Sequence, residues 1–188
     1  MTYIKTLNPL LLLLLLPLFI QLKCKKDKQA SEEKLPPVTQ TGAGTFGCLL
    51  NGKVWLPAGL LLETKIARNY DPGFRGGSFS IQAIRKLYNS NNERISHTVV
   101  SIGSSYVDKP GIYSLMRRDT SGSSFTNHDN GCEYFPWRNE GASIIAGEMN
   151  IIKLDLNIGI ISGTFFYTLV KPNCDTIKVT DGRFDFRL

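Results

Sequence analysis

The chain has 188 residues, 22 Lys and Arg against 16 Asp and Glu, and a formal charge of +6. Its bases are scattered singly apart from Arg85-Lys86 and Arg117-Arg118, without the clustering that a nucleic-acid footprint requires, so nucleic acid is excluded as a partner. Four cysteines and two histidines, none at metal-ligand spacing, leave no metal centre and no cofactor to assign.

The N-terminal segment differs in composition from the rest. Lys5 supplies a basic start, and from Leu10 to Ile20 only Pro17 interrupts Leu, Phe and Ile. This is the length of a secretory signal core; a spanning helix needs roughly 17–25 apolar residues. Residues 1–23 therefore read as a signal peptide, and Cys24 as a lipidation site. Without Lys5 and Lys23 the remaining chain carries 20 bases against 16 acids, a mild +4. The run Cys24-Lys25-Lys26-Asp27 resembles the start of Bacteroidota lipoproteins, with Gln21 and Lys23 where an aliphatic and a small residue are usual. That resemblance implies an outer-membrane lipoprotein, held by its N-terminal lipid and often displayed on the outer face.

Lys25 to Gln40 mixes Lys, Glu, Gln, Ser and Pro with almost no large apolar residues, so 24–44 is assigned to a flexible tether and 45–188 to one domain. About 145 residues suffice for a core that does not depend on disulfides.

Within the domain the hydrophobic period is two, broken at short intervals by Gly, Asn, Asp and Pro. Phe46 to Leu56 places Asn51-Gly52 between two apolar stretches, a hairpin signal. Thr64–Tyr70 and Ser78–Leu87 flank the glycine-rich turn from Asp71 to Gly77, although Gly59 to Ala67 is also compatible with the start of a helix. Ile95–Ile102 and Gly111–Met116 read as strands, and the polar stretch Arg117–Gly131 as a long surface loop. Ile144–Leu154 and Ile160–Val170 form a strand pair; aromatics on both faces of the second place it centrally. Thr180-Asp181-Gly182 reads as a turn between Thr176–Val179 and Arg183–Leu188, with Asp185 on the wet face of the last strand. The fold class is all-β: a single antiparallel β-sandwich or open barrel of roughly eight to ten strands.

Four segments in order, Leu35 to Gly42, Thr45 to Trp55, Ile161-Ser162-Gly163-Thr164-Phe165 and Val179 to Asp185, resemble an uncharacterised family of Bacteroidota lipoproteins. That family, a domain of unknown function, implies the anchor and a compact β domain and carries no catalytic residues across.

Candidate chemistry is sparse. Asn127-His128-Asp129-Asn130-Gly131 clusters oxygen donors around a glycine but departs from calcium-loop spacing and reads as a solvated turn. Ser162 lacks a nucleophile elbow. Glu148 with Asp155, and Asp181 with Asp185, are the carboxylate pairs on which an envelope hydrolase, the alternative function, would draw. Tyr134, Phe135 and Trp137 beside Pro136 are the candidate ligand surface for a glycan or another envelope protein, whereas Trp55 reads as core. With Cys24 acylated, Cys132 and Cys174 are the candidate disulfide and Cys48 a buried free thiol.

Overall fold

A computed structural model describes residues 33–117, 119–138 and 140–188. The signal segment 1–23, Cys24, the tether through residue 32, and Arg118 of the Arg117-Arg118 pair lie outside the described residues. Among the described residues there are eleven strands and no helix. Among the described residues no helix is long and apolar enough to cross a membrane.

The strands are β1 (Thr45–Leu50), β2 (Lys53–Trp55), β3 (Ile66–Asp71), β4 (Ser78–Tyr88), β5 (Arg94–Ser105), β6 (Gly111–Ser114), β7 (Ser121–Asn127), β8 (Cys132–Tyr134), β9 (Ser143–Asp155), β10 (Ile160–Val170) and β11 (Ile177–Arg187). They form two antiparallel sheets, ordered β2-β1-β11-β10-β9-β6 and β3-β4-β5-β7-β8, packed as a sandwich. Asn51 and Gly52 both adopt positive φ (48° and 80°), as the tight β1–β2 turn demands. On β10, Ile161, Phe165, Tyr167 and Leu169 are buried on the core face, and the strand lies between β9 and β11.

The core forms where the two inner faces meet. The rings of Phe79 on β4 and Phe184 on β11 lie 5.2 Å apart, and Tyr167 Oη on β10 donates a 2.9 Å hydrogen bond to the Ser124 carbonyl on β7. Trp55 is buried, with its indole nitrogen donating to Thr98 Oγ1 at 3.0 Å. Cys48 is a free, buried thiol whose pKa is pushed up to about 12 by desolvation, which keeps it protonated.

Several expectations change. The stretch Arg117–Gly131 is not a loop: it contains β7, paired with β5 and β8, with Phe125 against Tyr134 in the core. Thr180-Asp181-Gly182 is not a turn but a bulge within one continuous β11, where Asp181 takes φ 49° and the register with β10 slips between Phe165 and Tyr167. The bulge leaves room for aromatics, since a Cβ at Gly182 would lie 2.6 Å from the Phe165 ring. The helix considered for 59–67 is replaced by a turn at Leu60–Glu63 running into β3.

Asp185 is buried rather than wet, because residues 39–43 lie across it. Its Oδ2 accepts from Thr39 Oγ1 (2.6 Å) and the amides of Thr41 (2.9 Å) and Ala43 (3.2 Å); its Oδ1 accepts from the Gly42 amide (2.7 Å). Burial acts to raise its pKa, but the hydrogen bonds from Thr39, Thr41, Ala43 and Gly42 together outweigh that and hold it below the usual carboxylate value. Residues 34–44, assigned by composition to the tether, thus belong to the compact unit that runs from Lys34 to Leu188.

Candidate functional site: a groove on the five-stranded sheet

Strand pairing fixes which side chains share the outer face of the five-stranded sheet. One row crosses it as Asn69, Ser80, Gly103 and Gly122, and the next as Ala67, Gln82, Ser101 and Ser124; Ser78 and Ser105 pair beside them. These side chains are small, so the face is recessed where a bulkier row would fill it. The result is an open groove of about 670 Å³ floored by β3, β4, β5 and β7.

Trp137 and Phe135 stand at its β7 side, their ring centroids 5.4 Å apart. Trp137 is 48% exposed and lies against the backbone at Gly122, where a Cβ would come within 3.2 Å of the indole. The Arg138 guanidinium sits 4.2 Å from the centroid of the Phe135 ring, over its face. At another edge Arg75 donates to the Asp119 carbonyl (3.2 Å), and both residues line the groove.

Of the three aromatics proposed as a ligand surface, Phe135 and Trp137 are brought together and Tyr134 is not. Tyr134 is buried because it ends β8 opposite Phe125, on the core face, and its hydroxyl donates to the Asp175 carbonyl. The wall is anchored by the disulfide Cys132–Cys174, which ties β8 to the β10–β11 connection of the other sheet, and by Lys171 Nζ donating to the Glu133 carbonyl at 2.9 Å.

The groove floor was missed in the sequence. Its signal was present: Ser78-x-Ser80-x-Gln82, Ser101-x-Gly103-x-Ser105 and Gly122-x-Ser124 repeat small polar residues at period two on three neighbouring strands. Another missed pair is His97 with His128, whose ring centroids lie 4.2 Å apart with the planes tilted by 30°. Asp129 accepts from Ser96 Oγ (2.8 Å) and the His97 amide (3.0 Å), so the carboxylate of the oxygen-rich turn is committed to fastening the β7–β8 hairpin to β5. No group of three or more His, Cys, Asp or Glu among the described residues is arranged to hold a metal ion.

The acids are distributed differently from either proposed pair. Both oxygens of Asp185 are taken by the 39–43 segment, while Glu148 and Asp155 sit seven residues apart on β9. A cleft of about 380 Å³ on the six-stranded sheet is lined instead by Glu148 and Asp181, with Arg183 Nη2 4.0 Å from Asp181.

Fold and groove together define a β-sandwich with a recessed polar face and an aromatic wall. No family model, curated protein or solved structure matches the chain.

Proposed function

We propose that this protein is a cell-envelope lipoprotein of the outer membrane, acylated at Cys24, whose sandwich binds a glycan in the groove beside Trp137. The observation that carries this reading is the pairing of a half-exposed indole with a floor of hydroxyl and amide side chains. A sugar ring has an apolar face and a polar rim. The indole offers contact area to the first at small entropic cost, and Asn69, Ser80, Gln82 and Ser101 offer donors and acceptors to the second. The open form suits part of a longer chain better than a small enclosed ligand.

The anchor rests on the Leu10–Ile20 run and the position of Cys24 after it. Acyl labelling of the chain and of Cys24→Ala tests it: label on the first and none on the second is expected, whereas equal labelling contradicts it. For the groove, Ser101→Tyr fills the floor from a residue outside the core. It should abolish retention on immobilised envelope polysaccharides with the unfolding midpoint unchanged; full retention would contradict the assignment.

A further inference from the structure

Leu60, Leu61 and Leu62 are consecutive and 43%, 91% and 97% exposed. Single exposed leucines are ordinary, but three in succession at a loop tip are not. Their base is fixed. Glu63 Oε2 accepts from the Leu60 amide (3.0 Å), while Oε1 accepts from Lys86 Nζ (2.9 Å) and Tyr88 Oη (2.7 Å). The Glu63 amide closes the turn onto the Leu60 carbonyl, and the Ala58 amide and carbonyl pair with Ile84 and Lys86 on β4. A Cβ at Gly59 would lie 2.7 Å from Glu63 Oε2, so glycine there lets the carboxylate seat. The hydrogen bond from Tyr88, followed by those from Lys86 and the Leu60 amide, holds the Glu63 pKa down to about 2, so the brace persists at any physiological pH.

The surroundings of this loop carry bases, the carboxylate of Glu93 and apolar side chains. Lys34 and Lys65 line a hollow of about 320 Å³ with Pro36, Leu56, Pro57 and Ile66, next to the loop in sequence. At the same end of the β4–β5 hairpin stand Arg94, Leu87 (37% exposed) and Ile95 (61%). The compact unit begins at Lys34, which lines that hollow, so the covalent link toward Cys24 is made there. Cys24 and Lys34 are ten positions apart in sequence, a stretch that spans at most about 35 Å fully extended.

We propose that Leu60-Leu61-Leu62 is a membrane-seating loop that inserts into the bilayer to which the chain is tethered, flanked by lysines suited to anionic headgroups. This rests on the anchor proposed above. The groove lies over the Ser78–Gln82 half of β4 and the loop is fastened to the Ile84–Tyr88 half; Ser80 and Lys86 are about 20 Å apart along the strand. Seating the leucines therefore holds the groove off the membrane, toward whatever polymer it meets.

The full chain, reconstituted into phosphatidylcholine–phosphatidylglycerol vesicles with lipids brominated in the acyl chain, provides the test. Leu61→Trp is compared with Ile112→Trp, on the far edge of the six-stranded sheet and 69% exposed. The new tryptophan at 61 should emit to the blue and be quenched at least twofold more than that at 112. Flotation with vesicles reads the anchor separately. A chain that floats with both tryptophans unquenched overturns the seating loop and leaves the anchor standing; a chain that does not float overturns both. Shielding of Leu61→Cys from an impermeant thiol reagent in cell envelopes but not in vesicles would assign the loop to a protein partner, and would equally overturn the proposal.

Discussion

Thr39 Oγ1 donates a 2.6 Å hydrogen bond to Asp185 Oδ2, joining the segment ahead of the first strand to the C-terminal part of the last across 146 residues of sequence. One buried carboxylate thereby fastens a segment without regular structure, and the Thr41, Gly42 and Ala43 amides depend on it for an acceptor. Truncating Asp185 to Ala should cost about 3 kcal/mol, measured by chemical denaturation, since several charge-assisted bonds are lost together. The pH sign follows from the lowered pKa. The stabilisation is complete above the unfolded value of 3.8 and is lost as pH falls through the lower folded value. Asp185→Asn should flatten the acid side of the stability profile; an unchanged profile would mean the carboxylate is not the clasp.

Tyr134 and Trp137 are two aromatics three residues apart with opposite duties. Tyr134→Ala should destabilise by about 3–5 kcal/mol, as expected for a fully buried ring. Trp137→Ala should cost about 1 kcal/mol or less, because half of the ring faces water. Equal losses would place Trp137 in the core and remove the groove's wall.

Reduction of Cys132–Cys174, with a sequence separation of 42, should lower stability by about 4 kcal/mol in the chain-entropy account. Because the bridge ties β8 to the other sheet, amides of β8 should lose hydrogen-exchange protection before those of β10. Uniform loss across both strands would argue against a local role for the bridge.

The pKa of His97 is lowered first by burial, then by His128, Arg94 and Lys86, with Asp129 acting the other way. Its folded pKa is therefore below the unfolded value of 6.5, so the unfolded chain takes up the proton first and stability falls as pH drops below that value. The unfolding midpoint should decline from pH 7 to pH 5, and His97→Gln should reduce the decline. A midpoint that rises over this interval would reverse the assignment.

What was legible in the sequence was whatever strict alternation or turn chemistry dictates locally. The β1–β2 hairpin is written in Asn51-Gly52, and β10 in its two aromatic faces. β7 was not legible because Phe125 is its one large apolar residue; its groove-facing positions are Gly122 and Ser124, and Ser123 is buried inward. The Asp181-Gly182 pair misled because residues that tolerate positive φ serve bulges as readily as turns, and only the pairing of β11 with both β1 and β10 separates the cases. Asp185 follows the alternation of a wet face correctly, but the face is covered by a segment that touches it only in the folded chain. Tyr134 and Trp137 were grouped by proximity in sequence, whereas Tyr134 closes a strand and Trp137 follows after the chain has left the sheet.

The central claim, a glycan held against Trp137, is tested most directly by calorimetric titration of envelope polysaccharide fragments into the protein and into Trp137→Ala, each first shown to be fully folded at the titration temperature. Saturable binding to the protein, weakened at least tenfold in Trp137→Ala, is the predicted result. Binding of equal strength in both, or to neither across the polysaccharides of the envelope, would contradict it.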